Sequence, residues 1–435
     1  MAHHDPANTS QPSEADPLLG RETASPTSYA TTSSEPPVLF PEGGLHGWLA
    51  VLSAFSVQFV TFGYITSFGV YETYYLQTLL QDCSLSEVAW IGSIQMWAQL
   101  SAMVVSGPLA DRYGLQVVIW PSAVSLVLAI AGTSFCREYY QFILCQGLLQ
   151  GASSGMLLAP VMAVLGHFFH KKRALFMSMA SVGSPLGGIV YPIILTKMLR
   201  SSSLGFAWTQ RVIALMVAAI LSVAVLGSNH SFKHRSGPFI LFSAFRNPAY
   251  AFQIVGLFLL WLGVLTPYFY LAEYALRHNI SGTLSTYIFA FLNGGSLAGR
   301  LFSGALTLRL GPFNVMILAT TFNAILLFFW LKAVSEQELV AFAVLYGATS
   351  GAINGLMVST MGHTAPHPSQ IGTYIGMGSS IIAIAGLTGA PITGALISAY
   401  GRYTEAIVFS GCVSVLGVCF FMVARIFFGK GKTFV

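Results

Sequence analysis

Twelve apolar stretches follow one another between residues 46 and 427, and each matches or exceeds the roughly 20 residues that a bilayer-spanning helix needs. They fall at 46–76, 87–109, 115–135, 139–166, 172–198, 207–228, 248–273, 284–307, 313–332, 338–361, 370–399 and 405–427. No other feature restricts the fold as much. Runs of that length belong in hydrocarbon, where backbone polar groups must be satisfied within the segment, so each is expected to be a helix. The charge content agrees. Only 8% of the 435 residues are charged, where a soluble domain carries about 25%, and this excludes a soluble enzyme.

The remaining chain sorts itself around these spans. Residues 1–44 are rich in Ser, Thr, Pro and acidic groups and hold too little apolar surface to fold, so a disordered tail is expected. The loop 229–247 separates six spans from six, giving halves at 45–228 and 248–428 and a short tail at 429–435. With the amino terminus in the cytoplasm, the inner loops hold Arg112, Lys171, Lys172, Arg173, Lys233, Arg235, Arg246, Arg309, Arg425, Lys430 and Lys432. The outer loops hold fewer basic residues, as the positive-inside rule requires. That bias explains the net charge of +5 without nucleic acid as a partner. Asn279, in Asn279-Ile280-Ser281, then lies outside as a glycosylation acceptor. The five cysteines lack metal-ligand spacing, and no metal or cofactor is expected. Cys83 and Cys136 both fall in outer loops, as free thiols or as a pair. The cell membrane is the expected location, although Glu14, Leu18 and Leu19 form an acidic dileucine pattern of the kind read for vacuolar or endosomal membranes.

The two halves repeat each other. "GASSG" from Gly151 returns as "GATSG" from Gly347, and 347 − 151 = 196. Gly166-His167 returns as Gly362-His363, again at 196. "GPLADRYG" from Gly107 returns as "GALTLRLG" from Gly304, at 197. An even number of spans per unit gives both units the same orientation, so they can face each other across an axis along the membrane normal. An all-α membrane protein of twelve helices in two six-helix pseudo-repeats is expected.

"SGPLADRYG" resembles the loop signature of the major facilitator superfamily through Gly107, Leu109, Asp111, Arg112 and Gly114. In that family the charged pair acts as a latch between open states, and the second copy keeps Arg309. A narrower resemblance, to the monocarboxylate-porter family in its fungal branch, rests on two more motifs. One is "PEGGLHGWLAV", with Glu42, Gly43, Gly44 and Trp48. The other is Phe168, Phe169, Lys171, Lys172, Arg173, Leu175 and Gly183-Ser184 in span 5, where Phe176 and Ser178 depart from the pattern. The resemblance implies two parallel halves that rock around a central cavity.

Charges inside spans are the sharpest functional signal, because isolated ones cost several kcal/mol and tend to face a cavity. Asn293, Ser296 and Arg300 lie at i, i+3 and i+7 on span 8, forming one polar face. The resemblance makes Arg300 the ligand of a substrate carboxylate, while a bond to a neighbouring helix's carbonyls is the structural alternative. Ser296 stands where the porters carry a proton-transferring Asp, and Thr73 where they carry a Lys. Glu72 and Glu273 are then the candidate proton carriers, with solvated surface acids as the alternative. Gln58, Gln95, Gln99, Tyr268, Tyr270 and Asn354 complete the candidate cavity, with a kink expected near Pro267. The expected function is alternating-access transport of an organic anion or amphipathic metabolite, such as export of a fungal secondary metabolite. Uptake of a monocarboxylate or riboflavin, and sensing without transport, are the alternatives. The partners expected are that small molecule, protons and the bilayer, with the oligomeric state open.

Overall fold

The computed structural model describes residues 44–169, 172–200, 205–227, 240–278, 280, 282–367 and 370–429. The tail, the dileucine, Lys171, most of the loop 229–247, Asn279 and residues 430–435 lie outside the described residues.

Twelve helical segments appear in the expected order. Eleven of them are long and apolar enough to cross a membrane. The remaining one, span 8 at Gly282–Leu310, has 29 residues but carries Asn293, Arg300 and several glycines in its middle, so its apolar character is interrupted there. Spans 2, 3, 6 and 9 are single helices at Leu85–Tyr113, Leu115–Thr133, Gly205–Gly227 and Pro312–Trp330. Spans 10, 11 and 12 run over Glu336–His363, Ile371–Tyr400 and Thr404–Gly429.

Four spans are broken, each in the half-membrane nearer the outer loops or close to its centre. Span 1 comprises Gly44–Val60, Phe62–Ile65 and Phe68–Tyr74, and ends in a π-helical turn at Tyr75–Leu79. Span 4 opens with Tyr139–Phe142, widens into π-helix at Ile143–Gln150 and continues as Gly151–Phe168. Span 5 divides into Arg173–Ser181 and Gly183–Arg200, and span 7 into Pro248–Val264 and Thr266–Arg277. The last break is the kink that Pro267 predicts. Proline fits the first turn of a new helix, where its missing N–H is no loss.

The pseudo-repeat extends to the caps. Spans 2 and 8 each have 29 residues and are followed by 19-residue helices. Each pair is separated by one glycine at positive φ, Gly114 at 96° and Gly311 at 84°, where a side chain would be strained. Their separation is 311 − 114 = 197. Spans 4 and 10 both start with a capping box, Glu138 with Gln141 and Ser335 with Glu338, also 197 apart. These boxes satisfy backbone N–H groups at each helix start.

Small residues set the packing inside each half. Gly151 and Gly155 of span 4 lie against the carbonyls of Gln95 and Gln99 on span 2, and a Cβ at either would overlap them. Gly347 and Gly351 of span 10 meet the carbonyls of Leu292 and Ser296 on span 8 in the same manner. Between lipid tails apolar burial gives helices little reason to associate, so such close backbone approach carries the packing.

The halves meet along two seams. Span 2 runs beside span 11, where a Cβ on Gly107 would fall 2.9 Å from the Gly372 carbonyl and one on Gly376 would fall 2.6 Å from that of Met103. Span 5 packs against spans 8 and 10. Both seams are tight at the end of the bundle that carries Arg112, Lys172 and Arg309, called the basic end below.

Candidate substrate site at the seam between the halves

Arg300 is buried in the second seam, only 6% exposed. Its Nη1 donates to the carbonyl of Ser181 on span 5 at 2.5 Å, and Nη2 lies 3.5 Å from Ser184 Oγ. A second tie runs the other way, since Ser178 Oγ donates to the Arg300 carbonyl at 2.5 Å. Arg300 therefore bonds across the seam to the opposite half through both side chain and backbone. Its Nε has no partner among the described residues. A hydrogen bond from a charged donor contributes about 1.5–3 kcal/mol, and an unpaired buried guanidinium would cost several kcal/mol. The structural alternative foreseen for Arg300 is thus present in this conformation.

Several predicted residues gather around it. Tyr268 OH lies 3.0 Å from Ser350 Oγ, with Ser296 and Arg300 within interaction range. Ser296 is 2% exposed. Asn293 lies one turn further along, donating to the Phe289 carbonyl at 3.0 Å and lying close to Gly188 on span 5. Tyr268, Ser296 and Arg300 form one group, and Asn293 borders it.

The others are dispersed. Gln58 points its Nε2 at Met162 Sδ, 3.9 Å away, and its Oε1 has no partner among the described residues. On span 2, Gln99 is fully buried with neither amide atom bonded among the described residues, and Gln95 Oε1 is likewise unpartnered. Tyr270 OH donates to the Ala390 carbonyl at 2.9 Å. Asn354 is half-buried. Glu72 is half-buried and Glu273 exposed, and both lie within electrostatic range of Tyr270. Glu273 forms an ion pair with Arg277 at 3.0 Å, with both side chains 48% exposed, which is the geometry of a surface acid. Of the latch motif, Gly107 closes the seam and Gly114 ends span 2. Arg112 stacks over Tyr113 at 5.6 Å, Arg309 is exposed, and the side chain of Asp111 lies outside the described residues.

Three groups escaped the sequence reading. Ser178, Ser181 and Ser184 supply the partners of Arg300; Ser178 and Ser184 had been marked only as motif positions, and Ser181 not at all. Arg173, grouped with the basic loop, is 8% exposed, and its guanidinium lies against Gly362 of span 10. A Cβ on Gly362 would overlap it, so the repeated glycine makes room for an arginine from the other half. Third, Tyr64, Tyr71, Tyr75, Gln146, Gln150 and Gln210 form a buried polar group inside the first half. Tyr64 OH donates to Tyr71 OH at 2.8 Å, and Tyr75 OH to Gln146 Oε1 at 2.6 Å. That last bond joins the two π-helical segments. Gln146 and Gln150, four residues apart in an apolar span, were the available signal for it.

A membrane bundle of two matched halves, tied by polar groups across the seam where they meet, is the architecture of alternating carriers. The model of the major facilitator superfamily matches residues 51–334, and the chain belongs to that superfamily. It is therefore a membrane transporter rather than an enzyme. It is 40% identical over 401 residues to the aspyridones efflux protein apdF of Emericella nidulans, covering 92% of this chain and 81% of that one. To the agnestins efflux protein AgnL12 of Paecilomyces divaricatus it is 33% identical over 423 residues, covering 97% and 95%. Among solved structures, the human organic anion transporter MFSD10 superposes with a TM-score of 0.64 over 87% of this chain and 97% of that one, at 17% identity. That likeness extends to the fold.

Proposed function

We propose that this protein exports an amphipathic organic acid of the secondary-metabolite type from a fungal cell, and that Arg300 binds its acidic group. The carrying observation is the place of Arg300, a buried cation of one half whose side-chain hydrogen bonds among the described residues both cross the seam. A ligand held there touches the surfaces that must separate during alternating access. Tyr268, Ser296 and Asn293 supply neutral hydrogen-bonding groups beside it, and Gln95 Oε1 and the Gln99 amide, without partners among the described residues, are further candidates, since buried polar atoms are seldom left unsatisfied. The efflux names of relatives matched over most of their length support the direction of transport. The basic end is then cytoplasmic by the positive-inside rule, with the plasma membrane as the site of action.

The span 1 and span 5 motifs support the monocarboxylate-porter-like branch, although Ser296 replaces its proton-transferring Asp. Glu72, half-buried beside Tyr270, is the better proton carrier of the two candidates, because Glu273 is engaged by Arg277. Gly107, Asp111, Arg112, Gly114 and Arg309 are the proposed latch.

The test is flux into proteoliposomes for a panel of aromatic and aliphatic carboxylates, with and without a pH gradient. Arg300→Gln is expected to lower anion flux at least tenfold while neutral analogues are moved as before. Normal anion flux by this variant sinks the assignment.

A further inference from the structure

Span 5 carries proline at 185, four residues beyond Ser181. In a continuous helix the N–H of residue 185 would bond to the carbonyl of residue 181, and proline has no N–H to give. The helix divides at this place, into Arg173–Ser181 and Gly183–Arg200. The Ser181 carbonyl, deprived of its helical donor, takes Arg300 from the other half. Next to it, Ser178 bonds the Arg300 carbonyl and fits into space that two glycines leave. A Cβ on Gly304 would fall 2.8 Å from Ser178 Cβ, and one on Gly355 would fall 2.8 Å from Ser178 Oγ. Proline, carbonyl and arginine thus form one device at the seam.

We propose that the Ser181 carbonyl, freed by Pro185, competes with the acidic group of the substrate for Arg300. Pro185 and Ser181 are positioning residues that lower anion affinity whenever the basic end is shut. This inference rests on the reading of Arg300 as substrate ligand. With the basic end open, spans 5 and 8 are apart and the guanidinium is available to an anion, which it prefers to a neutral carbonyl because charge assists the bond. Closure brings the Ser181 carbonyl back to 2.5 Å from Nη1, and the anion then faces a preplaced competitor. Coupling of this kind is reciprocal, so an anion on Arg300 also favours the open basic end. A carrier built this way takes cargo at the basic end and sheds it at the opposite one.

The experiment measures the separation of the halves at the basic end. Spin labels are placed at Tyr113→Cys on span 2 and Leu310→Cys on span 8, both exposed, with the five native cysteines changed to serine. Pro185→Ala restores an N–H for the Ser181 carbonyl. It is expected to shift the open-to-closed ratio about tenfold towards open, the size of effect that one charge-assisted hydrogen bond produces, while heat stability stays equal or rises. Arg300→Gln is expected to open the basic end equally, and the double variant no further, because both changes remove one bond. Saturating 2-naphthoate, an aromatic carboxylate probe, should open the wild type and leave both single variants unmoved. If Pro185→Ala fails to reach the membrane, Pro185→Ser supplies the same N–H. An unchanged ratio in the proline variants, additive effects in the double variant, or a wild type indifferent to 2-naphthoate overturns the proposal. Normal 2-naphthoate flux by Arg300→Gln, with the gating result intact, sinks the ligand reading and the competition with it, and leaves Pro185, Ser181 and Arg300 as a gate alone.

Discussion

Residues in this chain act through what faces them. Gly294 and Gly295 are neighbours on span 8, yet a Cβ on Gly294 meets nothing within 4 Å while one on Gly295 overlaps the Val344 carbonyl of span 10. Gly294→Ala should therefore be neutral or stabilising by up to about 1 kcal/mol, since alanine is the better helix former. Gly295→Ala should lower the temperature at which half the detergent-solubilised protein survives heating. Equal behaviour of the two variants in that assay would contradict the packing described. Cys136, between spans 3 and 4, is a second case. Burial and the neighbouring Cys145 push its thiol up. Little reactive thiolate is then present at about pH 8, so a water-soluble maleimide should leave Cys136 unlabelled in the folded protein and label it once the protein is denatured. The sequence marked Arg300 correctly as a buried charge with two readings. Its acceptor was legible only in part. Pro185 announces that the carbonyl four residues earlier lacks a donor, but nothing local says which helix stands opposite.

At the scale of helices, the apolar runs fixed the count, order and approximate limits, because a lipid solvent leaves a backbone segment little alternative to helix. The polar interruptions were harder to read. Pro267 signalled the break in span 7, whereas the π-helical turns of spans 1 and 4 carry no proline. π-helical turns are frequent at functional sites, and here the two are joined by the bond between Tyr75 and Gln146. The sequence places Lys171, Lys172 and Arg173 together in an inner loop. In the structure Lys172 is exposed, while Arg173 is buried in the seam against Gly362. Three consecutive basic residues look alike in sequence, and only the helix that starts within them turns one towards the other half.

For the whole molecule, the prediction concerns the seam as a moving joint. A Cβ on Gly304 would fall 2.8 Å from that of Ser178, about 1 Å inside the spacing of a disulfide, so a cysteine pair there can join after a small outward shift of the two helices. Oxidised Ser178→Cys/Gly304→Cys should hold the basic end shut and abolish flux, and a reducing agent should restore it. Flux that survives complete cross-linking would show that spans 5 and 8 do not separate in the cycle. The halves and their kinship were written in the sequence itself. Repeats at 196 and 197 residues and a glycine-bounded loop motif are linear features, produced by duplication and by local backbone demands. Which groups meet across the seam was decided by tertiary structure alone. A hydrogen bond between Arg300 and Ser181, 119 positions apart, depends on the rotation of two helices about their own axes. A bilayer constrains where each helix lies along the membrane normal, but packing sets its rotation.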